Sequence, residues 1–263
     1  MGGAMKTCIA AVLLLCGGVC IARAAPEGAQ NRAAYPESEA VAAWRGLAAG
    51  YVRQALKDQT LDGDRSLNAR VDTVMAVVGA AVAAIDPRFA GSTWKAILIN
   101  DFGYGAAAFP GETILVDAKF VRRLQLGDDE LALILSHEAA HVVAGHAAVK
   151  LSFMAEFLGK EKVPTARTAL LEFLAKDSYA AAYRPTAQLQ EREADRLGAA
   201  IFFAAGYDAE RALGVFDKLA QLEARGAGQD PDSHDAASAR KQAVAGVIAE
   251  LQGFDARRDS RPR

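Results

Sequence analysis

Apolar residues along this chain fall mostly at helical intervals. Trp44, Leu47, Tyr51 and Val52 mark one face of a helix over residues 41–56. Val71, Val74, Val77, Val78, Ala81, Val82 and Ile85 give a stronger stripe, closed by Asp86 and Pro87. The period then shortens. Residues 94–99 end in Ile97, Leu98 and Ile99, and residues 113–116 run Thr113, Ile114, Leu115, Val116 behind Pro110 and Gly111. Residues 100–105 hold two glycines and lie between them as a turn, so the two runs predict a small antiparallel sheet. Helical spacing resumes at Asp128, Asp129 and Glu130, three acids placed where a helix N-terminus favours negative charge, and continues to residue 158. Further helices are expected over 165–182, 187–205, 210–225 and 236–251, with Arg184-Pro185-Thr186, Gly206 and a loop over 226–235 as breaks. The fold class is α+β, predominantly helical, and no internal repeat is visible.

Residues 26–38 carry Pro, Gly, Asn, Ser and Glu without periodicity. Before them, Lys6, an apolar run over 8–21 and Ala22-Arg23-Ala24 form the pattern of a secretory signal peptide, cleaved after Ala24 or Ala25. The apolar run is short for a membrane span. A lipoprotein leader is disfavoured, because Leu15 precedes Cys16 and Val19 precedes Cys20, where lipid attachment wants a small residue. The division expected is a signal peptide over 1–24, a flexible lead-in over 25–38, one domain over 39–254 and a disordered basic tail over 255–263. All three cysteines fall in the leader, so the exported chain would form no disulfide. With 52% hydrophobic residues, the 263-residue chain can bury one core. The formal charge of −2, with both signs interspersed, excludes the basic surface that nucleic acid requires.

Chemistry concentrates at His137-Glu138-Ala139-Ala140-His141. Residues four apart share a helix face, so both imidazoles can reach one ion at about 2 Å from each nitrogen. Glu138, next to the first histidine, can act as general base toward a water that zinc acidifies. Two surface histidines on an amphipathic helix would give the same letters. The motif, however, follows an apolar run and is embedded in Ala and Val, where unpartnered polar groups are costly. Catalytic zinc takes three protein ligands. The best further supplier is the segment Glu191-Arg192-Glu193-Ala194-Asp195. Glu191 could ligate, and Asp195, one turn on, could orient a ligand imidazole. Spacing alone leaves Glu191 equally readable as part of a solvated face, and Arg192, Glu193 and Arg196 read better that way. His146 reads as structural or as a partner of a ligand.

These segments resemble the HtpX/BepA/Oma-type zinc metallopeptidases, relatives of the CAAX prenyl protease, over roughly residues 71–248. There the HExxH helix is followed by an E-x-x-A-D segment, which Glu191 to Asp195 fits. The resemblance implies a zincin-like metallopeptidase domain with its sheet beside the HExxH helix and one zinc held by His137, His141 and Glu191. It also implies Asp195 as orienter and Phe109, Pro110 and Gly111 on a strand that pairs with substrate. Ser233-His234-Asp235 resembles a further family segment. That likeness implies His234 over the zinc, gating it or stabilising the intermediate, and Arg240 binding oxyanion or substrate. The chain departs from the pattern at Gly105, Glu112 and Asp235. Trimmed to a peptidase domain, it looks like the periplasmic branch. The function expected is a zinc endopeptidase acting on unfolded or misassembled envelope proteins. The alternative is a non-catalytic or latent envelope chaperone that uses the cleft to hold clients. Residues 147–190 would cover the cleft, and an exposed apolar helix would allow peripheral membrane contact.

Overall fold

The computed structural model describes residues 33–225 and 235–259. The expected leader, residues 25–32, His234 and residues 260–263 lie outside the described residues. Helix α1 (Glu37–Asp58) is amphipathic and buries Ala40, Trp44, Ala48 and Ala55. The described end of the lead-in is already packed before that helix begins. Tyr35 is 4% exposed, and its hydroxyl donates to the Val163 carbonyl at 2.5 Å. An aromatic ring with a satisfied hydroxyl anchors a segment whose composition alone suggests a loop.

Helix α2 (Arg65–Ile85) starts at Asp64, whose carboxylate accepts from the Ser66 and Leu67 N–H groups. It is long and apolar enough to cross a membrane, but Val71, Val74, Met75, Val78 and Val82 are all buried in the protein. Strands β1 (Lys95–Ile99), β2 (Ala106–Phe109) and β3 (Thr113–Asp117) form one sheet in the order β1-β3-β2. The sheet is mixed, which corrects the antiparallel expectation. β3 pairs parallel with β1 (Ile97 opposite Leu115) and antiparallel with β2 (Ala107 opposite Leu115). The overlooked strand is three alanines and a phenylalanine, a sequence of low strand propensity held in place by its neighbour. Unbroken apolar runs in β1 and β3 are what burial on both faces requires. Ile114 and Val116 enter one core with α2, while Leu115 enters another with α1.

Helix α3 (Ala118–Arg123) leads to α4 (Asp128–Val143), which carries the HExxH residues. The helix expected to continue to 158 is broken at Gly145. Its φ of 73° is left-handed, a conformation glycine adopts freely, and it redirects the chain into α5 (His146–Leu158). Helix α6 (Ala166–Ala175) follows. Helix α7 (Asp177–Ala205) runs straight through the expected break at Pro185. That proline is exposed, so water can satisfy the carbonyl that loses its donor. Helices α8 (Ala209–Ala212), α9 (Gly214–Ala224) and α10 (Ala237–Asp259) complete the described chain. Residues 255–259, placed in the disordered tail by composition, are the end of α10.

Candidate metal centre and cleft

Helices α4 and α7 pack face to face, and Gly198 lets them approach. A Cβ there would lie 2.8 Å from His137 Cα and 2.9 Å from its backbone nitrogen. Glu191 and Asp195 share that face of α7, at spacings of seven and three residues before Gly198. The contact therefore delivers both carboxylates to the HExxH histidines. Glu191 lies 3.2 Å from His137 Nε2 and 3.5 Å from His141 Nε2, and the two Nε2 atoms are 3.1 Å apart. Ligands that each approach one ion at about 2 Å must lie within about 4 Å of one another, and these three do. Among the described residues they are the group that could hold a metal.

The opposite ring nitrogens are occupied. His137 Nδ1 is 3.0 Å from Asp195, whose two oxygens also accept from Arg240 Nε at 2.9 Å and Nη2 at 2.7 Å. Burial works against ionising Asp195, but Arg240 and His137 overcome it and hold its pKa at about 2. His141 Nδ1 meets His146 Nδ1 at 2.8 Å, and His146 Nε2 meets Glu193 at 3.2 Å. One tautomer set satisfies this chain. His141 Nδ1–H donates to His146, and His146 Nε2–H donates to Glu193. Both ligand histidines then present an unprotonated Nε2 to the same point, backed directly by a carboxylate on one side and through a histidine on the other. Two facing lone pairs beside a carboxylate suit a bound cation.

Burial opposes charge on His137, yet Asp195 and Glu191 raise its pKa to about 9, so the same carboxylates that favour a cation at this nitrogen let a proton compete for it. Burial lowers the pKa of His141 and of His146, despite their carboxylate neighbours. A neutral His146 is what the donor–acceptor chain needs.

Glu138 and His137 line an open cleft with Ala106 of β2 and Arg240 of α10. Of the expected residues, His137, Glu138, His141, Glu191, Asp195 and Arg240 come together. Arg240 spends two donors on Asp195 and so holds the outer partner of His137 in place. Phe109 ends β2 but is buried, against the Trp44 and Tyr51 rings. Pro110 and Gly111 form the turn between β2 and β3, and β3 has a strand on each side. Among the described residues, the edge strand beside the cleft is therefore β2, at residues 106–109, which includes Phe109 but not Pro110 or Gly111. Residues 147–190 do not line the cleft beside His137 and Glu138; Leu151, Met154, Ala155, Ala166, Ala169 and Leu170 pack in the core of α1, while Lys150 is close enough to act on His141 and Glu191.

The sequence reading missed Glu193, because alternating charges look like a solvated face. It also missed Lys150, whose ammonium sits over the rings of Phe173 at 5.0 Å and of Trp44 and Tyr183 at 5.6 Å. Burial lowers the pKa of that lysine.

Comparison with known proteins agrees with the geometry. Residues 65–248 match the model of peptidase family M48. The chain is also 25% identical over 165 residues to a protein of Arabidopsis thaliana called mitochondrial metalloendopeptidase OMA1. The match covers 59% of this chain and 32% of that relative, so the chain spans about a third of the relative's length. The resemblance carried by HExxH and the Glu191–Asp195 segment holds at the level of the family: the chain belongs to peptidase family M48.

Proposed function

We propose that this metallopeptidase is an exported zinc endopeptidase, with one zinc held by His137, His141 and Glu191 and with Glu138 as general base. The convergence of two Nε2 atoms 3.1 Å apart on one carboxylate carries the reading. An ion held there would supply Lewis acidity, polarising a peptide carbonyl and lowering the pKa of a water so that hydroxide is accessible near neutral pH. Glu138 lies at the cleft beside His137, positioned to take the proton from that water and return it to the leaving amine. Asp195 and the His146–Glu193 pair keep both ligand rings in the required tautomer. The open edge of β2 offers backbone groups to an extended substrate.

The leader pattern over residues 1–24 supports export, and the role proposed is periplasmic, on unfolded or misassembled envelope proteins. Exposed Phe157, Leu171 and Leu174 on α5 and α6 support peripheral membrane contact. The test compares bound zinc and casein cleavage in the wild type, His137→Ala, Glu191→Ala and Glu138→Gln. About one zinc per chain is expected in the wild type and in Glu138→Gln, with much weaker binding in the two ligand variants. Cleavage is expected in the wild type alone. Equal cleavage by Glu138→Gln would remove the general base, and full zinc affinity in Glu191→Ala would remove the third ligand.

A further inference from the structure

Lys150 has no part in the machinery assigned above. It stands on α5 four residues after His146, so the two side chains share one face of that helix. His146 reaches His141 from this face, and Lys150 extends it along the same side of the metal centre. The residue is half-buried overall. Its ammonium sits among the rings of Trp44 on α1, Phe173 on α6 and Tyr183 on α7, at 5.6, 5.0 and 5.6 Å. Among the described residues it makes no hydrogen bond and no ion pair.

The cage of rings is fixed in place. Trp44 Nε1 donates to the Ala147 carbonyl at 3.2 Å, and the Tyr183 hydroxyl donates to Gln190 at 2.8 Å. Both rings are buried. The face of an aromatic ring carries negative potential, so the cage suits an ammonium better than a neutral amine. Burial lowers the pKa of Lys150, and Glu191 acts against that. A lysine that only covers apolar surface keeps its ammonium in water. Here the charge is turned into the protein without a carboxylate of its own, an arrangement that costs stability.

What that charge acts on is the metal centre. Its field reaches Glu191 and His141, two of the three candidate ligands. Glu191 brings one negative charge against the two positive charges of a divalent ion, and the histidines bring none in the form that ligates. Asp195 adds a negative charge behind His137, but Arg240 offsets it. Glu193 is 42% exposed and is screened by water. A further positive charge, held where solvent screens it little, therefore repels the ion. We infer that Lys150 is a counter-charge that holds down the affinity of the centre for zinc and keeps the ion exchangeable, so that occupancy follows the zinc supply. The inference rests on the metallopeptidase reading above.

The test uses the full-length protein and three variants. Lys150→Met removes the charge and keeps a long, flexible side chain that packs well on aromatic rings. Lys150→Gln is the second neutral variant, should Lys150→Met fail to fold. Lys150→Arg keeps the charge and the stacking. Competition with a zinc chelator of known affinity gives each Kd, and transfer to excess chelator gives the release rate. The neutral variants should bind zinc about 10-fold or more tighter than wild type and release it correspondingly more slowly, while Lys150→Arg stays within about threefold of wild type. A lysine with a purely structural role would give the opposite sign, because loosening α5 against α7 disturbs the ligands and weakens binding. Neutral variants that bind zinc as the wild type does, or more weakly, would overturn the counter-charge and leave the metallopeptidase reading standing. A wild type that binds no zinc would overturn both, and that result is seen before any variant is compared.

Discussion

His146 shows how one buried side chain can govern another residue's chemistry. It is 6% exposed and makes its two ring contacts to His141 and Glu193. Replacing it with alanine would leave His141 Nδ1–H buried without an acceptor and free the ring to rotate or change tautomer. Losing an outer partner of this kind costs about 10- to 100-fold in metal affinity. Chelator competition on His146→Ala should show a loss of that size while the fold, followed by circular dichroism, is retained. Zinc affinity equal to wild type would show that His141 is held by packing alone. The convergence of His137 and His141, with Glu138 beside them, was legible because about one helix turn contains them all. Glu193 was not, because its charge pattern with Arg192 and Arg196 is that of a solvated face. What distinguishes it is the approach of a different helix, which adjacent sequence does not encode.

The approach of that helix is itself a consequence of one residue. Gly198 is the point where α7 meets the backbone of α4, and an added methyl would sit 2.8 Å from His137 Cα. The obstructing atoms are main chain, so no side chain can rotate away and the helices must separate. Gly198→Ala should cost about 1–3 kcal/mol, the range for overpacking a close-packed contact. It should also weaken zinc binding, because Glu191 and Asp195 travel with α7. Thermal melts and chelator competition measure the two effects. Gly246→Ala is the control: its added Cβ meets nothing within 4 Å, and alanine there should be neutral or slightly stabilising. A melt of Gly198→Ala no lower than that of Gly246→Ala would show that the helices absorb the methyl. At this scale, long periodic helices such as α1 were legible to within about four residues at each end. Errors fell where tertiary contacts overrode local signals, as with the alanine-rich β2 and with Pro185 on an exposed helix face.

The two cores lie on opposite faces of the sheet, with β3 contributing to both. Hydrophobic patterning indicated which residues are buried but not that α5 and α6 would share a core with α1. That arrangement depends on the turn at Gly145, where the chain leaves the line of α4. The metal site joins elements far apart along the chain, since His137 and His141 stand on α4 while Glu191 stands on α7. The proposed zinc would bridge these helices only when the first core is assembled, so it would bind the folded state in preference to the unfolded chain. At free zinc about 100 times its dissociation constant, such binding stabilises by about 2.7 kcal/mol. A domain of this size gains about 2–4 °C in Tm per kcal/mol, so chelation should lower Tm by about 5–10 °C. Glu138→Gln, with its ligands intact, should show the same drop. Glu191→Ala should melt at one temperature with or without chelator, because the link between α4 and α7 is gone. A wild-type protein whose Tm ignores chelator, although zinc is bound before and absent after, would mean that the two helices are held together fully by their packing around Gly198.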